Sequence, residues 1–166
     1  NMIAFLFAGL LLPIFSKMIK HKESVESLVK TAFILLMTPA VIIAIGCWFY
    51  SIELIGMLYD EHIEQSALVF SILMSCFAAI STTYIFGTLL TANGNLRELN
   101  LMAASGILIN IVMNLFLIPR FEAAGSAVSS LITQFSTAFI QVLIAQNIFK
   151  FKINYKLILT LIIFIA

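Results

Sequence analysis

Charge is what this chain has least of: Asp, Glu, Lys and Arg make up 10% of its 166 residues, against roughly a quarter in soluble domains. A water-facing surface cannot be built from so few charges, and the mean hydropathy of +1.12 points the same way. Cysteine is scarce too. Cys47 and Cys76 both sit in apolar runs with no CxxC and no His-rich neighbourhood, which excludes a disulfide framework and a thiolate metal site. The three prolines and seven glycines form no phosphate-binding loop, and neither a nucleophile elbow nor a zinc-protease signature is present. With a net charge of +1 there is no basic surface for nucleic acid. These absences predict a non-enzyme with no cofactor, no metal and no nucleic-acid partner.

What is present is apolar length. Hydrophobic residues reach 62% and come in blocks of about 20, the number that crosses a bilayer at 1.5 Å per residue. The pattern predicts an all-α, polytopic transmembrane helix bundle, one membrane domain over residues 1–166. Complete spans are expected at about 28–50, 66–90, 99–118 and 126–149, with partial spans at 2–19 and 157–166. Both ends fall inside apolar runs, so the chain reads as a fragment of a longer membrane protein. Between the second and third of these segments, IELIGMLYDEHIEQ mixes apolar residues with Asp60, Glu61 and Glu64 and predicts a short interfacial helix and turn. His62 lies among those carboxylates at a spacing that fits no compact ligand set, and reads as part of a solvated loop. Loops of about 7 to 15 residues are expected, too small for a catalytic domain.

Basic residues set an orientation. Lys17, Lys20, Lys22 and Lys30 flank the first loop, Arg97 the third, and Lys150, Lys152 and Lys156 the fifth, which leaves only Arg120 of the nine for the even loops. The positive-inside rule then puts odd loops in the cytoplasm and even loops outside. The run KMIKHK is suited to anchoring the first helix at anionic headgroups.

Beyond Lys30 in the first turn of the second segment, the complete spans hold no Lys, Arg, Asp, Glu or His. Ion pathways and proton relays through a membrane usually need such groups. Uncharged polarity remains. Ser126, Ser129, Ser130, Thr133, Gln134, Thr137 and Gln141 fall on less than half of one helix, with Val128, Leu131, Phe135, Phe139 and Val142 opposite and expected to meet lipid. The preceding span carries Asn100, Ala103, Ile107, Asn110 and Asn114 on one face, and an earlier one Ser71, Ser75, Ala78 and Thr82. Two uses fit such stripes: close helix packing through small and hydroxyl residues, or the wall of a water-filled cavity. The cavity candidates are Asn110, Asn114, Ser130, Thr133, Gln134, Thr137 and Gln141.

The most informative stretch is Asn110 to Gln134, NIVMNLFLIPRFEAAGSAVSSLITQ, where two apolar helices meet across a short polar link. It predicts a membrane hairpin in which Pro119 stops the first helix, Arg120 lies in the turn and Gly125 opens the second helix. Pro39, near the middle of its own span, predicts a kink, used either for packing or as a hinge.

The hairpin and the order of elements resemble the C-terminal half of polysaccharide flippases, the oligosaccharide-lipid exporters of the MOP (multidrug, oligosaccharidyl-lipid, polysaccharide) superfamily. The residues that carry the likeness are Asn114, then Ile118, Pro119, Arg120 and Phe121, then GSAVSS from Gly125 to Ser130, supported by LLPIFSKM, Pro39 and LYDEHIEQSALVF. It covers about Leu11 to Asn147. Two departures stand out: Glu122 replaces a frequent glycine, and Ser126 and Ser129 replace alanines. The resemblance implies one lobe of a two-lobed transporter that alternates between inward and outward openings. It implies transport of undecaprenyl-diphosphate-linked oligosaccharide across the bacterial cytoplasmic membrane for polysaccharide (O-antigen or lipopolysaccharide) biosynthesis. The expected partners are the lipid bilayer, the lipid-linked oligosaccharide and the missing N-terminal half. Alternatives are a MOP-type multidrug or peptidoglycan-precursor exporter and, from a different class, a membrane glycan polymerase, which would need a long outward loop rich in Arg or His.

Overall fold

A computed structural model describes residues 2–151, of which side chains are described from residue 5 onward; the partial span expected at 157–166 lies outside the described residues. Those residues form helices α1 (Met2–Lys20), α2 (Glu26–Phe49), α3 (Ser51–Gly56), α4 (Ile63–Ala92) and α5 (Leu96–Phe149), with no strand among them. The fold is all-α. α2, α4 and α5 are each long and apolar enough to cross a membrane, so the molecule has the build of a membrane protein.

α5 would be about 80 Å long if straight, far beyond a hydrocarbon core of about 30 Å. It is not straight. Glu122 has φ 50° and ψ −126°, and this one non-helical residue divides α5 into arms at 96–121 and 123–149. Asn110 meets Ser129 and Thr133, and Gly106 approaches Thr137, so the arms run antiparallel. The expected spans at 99–118 and 126–149 are these two arms. Pro119 does not stop the first arm, which continues through Phe121: proline removes a single backbone donor, whereas the reversal needs a residue in the left-handed half of backbone space. Tightness at the bend comes from Gly125, where a Cβ would collide with the carbonyl of Leu117.

The loops are shorter than the sequence suggests. Helix continues through Glu26, Glu64, Arg97 and Glu98, because polar residues are good enough helix formers at a span's aqueous ends. α4 closes with Gly94 at φ 84°, the Gly94 N–H bonded to Thr91 O and the Asn95 N–H to Leu90 O. That is a Schellman cap, which satisfies the carbonyls a helix end leaves free. α1 ends in the same way, with Lys22 at φ 56° where glycine is usual. α2 is continuous from Glu26 to Phe49 with Pro39 inside it, exposed.

α4 is the hub, touching α1, α2, α3 and α5. Its Ser71, Ser75, Ala78 and Thr82 stripe lies on the α2 side. Trp48 Nε1 donates to Ser75 Oγ at 2.8 Å, Ser71 Oγ to the Cys47 carbonyl at 3.4 Å, and Phe33 meets Phe86 edge-on at 6.2 Å. In this stripe the small residues serve close packing. The main apolar core gathers Leu11, Phe15, Val29, Leu36, Ile85, Leu89, Leu90 and Ala145 toward the end of the bundle where α1 and α4 finish and α2 begins. Lys17, Lys20, Lys22, Lys30, Arg97 and Lys150 stand at or near that end.

Candidate functional site

The hairpin is held shut by polar side chains in an apolar setting. Asn110 Nδ2 donates to Ser129 Oγ at 3.3 Å and to Thr133 Oγ1 at 3.4 Å, and Ser129 Oγ donates back to the Asn110 carbonyl at 3.2 Å. Asn114 Nδ2 donates to Asn110 Oδ1 at 2.9 Å, one turn along the same arm. Ser129 is completely buried. These contacts between the arms fix their register. At Gly106 a Cβ would stand 2.9 Å from Thr137 Cγ2, which shows how closely the arms approach there.

Along one flank the arms leave a cleft of about 410 Å³, lined by Ala103, Gly106, Ile107, Asn110 and Ile111 from the first arm and by Ser130, Thr133, Gln134 and Thr137 from the second. Thr133 and Thr137 direct their hydroxyl hydrogens to backbone carbonyls one turn back, at 2.8 and 2.9 Å, and so present oxygen lone pairs rather than donors. Asn114 is half-buried, and its Oδ1 has no hydrogen-bond partner. No residue lining the cleft carries a charge.

The structure brings together five of the seven candidates, Asn110, Ser130, Thr133, Gln134 and Thr137, on the walls of this cleft, with Asn114 bonded to it from one turn away. Gln141 is elsewhere. It is 3% exposed and lies over Gly87 of α4, where its amide nitrogen is 3.5 Å from the position a Cβ would take. Helical projection groups Gln141 with Thr137 by angle, but the neighbour changes along the second arm, from the first arm to α4. Val142, expected to face lipid, packs instead against the apolar core, while Phe135 and Phe139 are exposed as expected. Asn100 is exposed and does not line the cleft. Pro119 and Arg120 are exposed beside the bend, and Gly125 is buried in it. The sequence marks Glu122 as a departure at the turn, in a position often held by glycine, but assigns the stop to Pro119; the structure gives the reversal to Glu122. Sequence reasoning passed over Thr83, whose buried Oγ1 has no partner.

Among the described residues no group of His, Cys, Asp and Glu could hold a metal ion. No family model, curated protein or solved structure matches this chain.

Proposed function

We propose that this chain is part of one lobe of an exporter that turns undecaprenyl-diphosphate-linked oligosaccharide from the inner to the outer leaflet of the bacterial cytoplasmic membrane. The observation that carries the proposal is the cleft flanking the α5 hairpin, where Asn110, Ser130, Thr133, Gln134 and Thr137 gather inside a segment otherwise suited to lipid. Several sugars and a diphosphate must cross hydrocarbon, where each unsatisfied polar group costs several kcal/mol. A hydrated wall of amide and hydroxyl groups lowers that barrier by offering hydrogen bonds throughout the passage. The basic end of the bundle faces the cytoplasm under the positive-inside rule, and the Glu122 bend faces outward.

The cleft carries no cation to meet a diphosphate, so that role falls to the rest of the transporter. The same neutrality supports a second reading, a MOP-type exporter of drugs that carry no diphosphate. Deleting the gene and following lipid-linked glycan separates them. The flippase reading expects loss of surface polysaccharide and accumulation of its lipid-linked unit in the inner leaflet; normal surface polysaccharide without accumulation would defeat it.

A further inference from the structure

A second cleft, of about 460 Å³, opens between α1, α4 and α5, and it shares no lining residue with the hairpin cleft. Its walls include Phe5, Ala8, Leu12 and Leu99. Its polar residues are unusual. Gln141 is 3% exposed and its Oε1 has no donor; Thr83 Oγ1 is likewise buried without a partner. Thr88 and Thr91 already give their hydroxyl hydrogens to the carbonyls of Tyr84 and Gly87, which leaves their oxygens as acceptors. Gly87 adds no side chain against the Gln141 amide, where a Cβ would lie 3.5 Å from Nε2 and 3.6 Å from Oε1. Tyr84 also lines the cleft, so donors and acceptors are both present: the Thr88 and Thr91 oxygens and the unpartnered Gln141 Oε1 accept, the unpartnered Thr83 hydroxyl can do either, and no lining residue carries a charge.

We propose that this cleft binds a neutral, small-headed lipid that carries a free hydroxyl, of the diacylglycerol or long-chain alcohol class. The hydroxyl donates to Gln141 Oε1 and accepts from Thr83 Oγ1, and the hydrocarbon body lies along the apolar walls. Depth argues for this class. Thr83 lies nine residues before the last residue of α4, Ala92, which places it about 14 Å in from that end. A phosphate or ammonium headgroup at that depth would need a counter-charge that the cleft lacks, whereas a hydroxyl needs only a hydrogen-bond partner. A monovalent cation is disfavoured by the same missing carboxylate. The volume falls in the range of about 300–1,000 Å³ that suits a drug-sized ligand. The inference is independent of what the hairpin cleft transports.

The test uses the protein in nanodiscs of a single zwitterionic phospholipid, with thermal unfolding and native mass spectrometry as readouts. Added dioleoylglycerol should raise the melting temperature and remain bound as a single adduct, and triolein, which lacks the hydroxyl, should do neither. Gln141→Leu should abolish both effects. Because that buried substitution can also weaken folding, Leu12→Trp, on the exposed wall, supplies a second block that leaves the amide in place, and it too should remove the adduct. An equal response to triolein, tighter binding of phosphatidic acid than of dioleoylglycerol, no response from the unaltered protein, or an undiminished adduct in either variant would overturn the proposal.

Discussion

Glu122 sits at φ 50° and ψ −126°, a region that side-chain-bearing residues rarely adopt. Holding it there costs of order 1–3 kcal/mol, balanced by the hydrogen bonds and close packing of the two arms it joins. Glu122→Gly removes the strain, at the expense of a more flexible unfolded chain worth about 0.4–1 kcal/mol. The expected net result is a hairpin more stable by about 1 kcal/mol, seen as a higher melting temperature in detergent or nanodiscs. Asn110 works in the other direction. It bonds to Ser129, Thr133 and Asn114 at once, and Asn110→Leu should lower stability by about 1–2 kcal/mol, the upper range for hydrogen bonds between membrane helices. Double-mutant cycles with Thr133→Val should show coupling, whereas cycles with the distant Ser75→Ala should be additive.

At the scale of elements, the helices were legible because apolar runs of span length leave few other solutions. Their ends were harder. Glu26, Glu64 and Arg97 look like loop residues by polarity, yet each extends a helix by part of a turn at its start, where the first N–H groups face water and polar side chains are tolerated. Pro119 drew attention as the obvious breaker, but the bend belongs to the backbone angles of Glu122 and the missing side chain of Gly125. Gln141 was legible as a polar residue on the Thr137 face; its address was not, because a helical wheel gives an angle about one axis and says nothing of which helix stands there. The two arms can meet only because Gly106 is bare. Gly106→Val would thrust atoms into Thr137, parting the arms and loosening the register set by Asn110. A cysteine pair placed at Asn110 and Ser129 should then cross-link less efficiently than in the otherwise unaltered hairpin, as judged by mobility on non-reducing gels.

Across the whole molecule, α4 gathers α1, α2, α3 and the hairpin around it, and the polar ladder from Trp48 to Ser75 ties the half of α4 that the main core leaves uncovered. The first arm of α5 is sparsely covered, with Leu101 and Leu115 each 70% exposed, a surface suited to lipid or to further helices. The polar cleft opens on a flank of that same hairpin. Its walls therefore decide whether the element is a packing device alone or also part of a hydrated path. The most direct measurement is labelling by a membrane-impermeant thiol reagent of single cysteines at Ser130, Gln134, Phe135 and Phe139, in a Cys47→Ser, Cys76→Ser background within intact cells. A hydrated path predicts reaction at Ser130 and Gln134 and protection at Phe135 and Phe139; reaction confined to the two phenylalanine positions, or absent from all four, would contradict it.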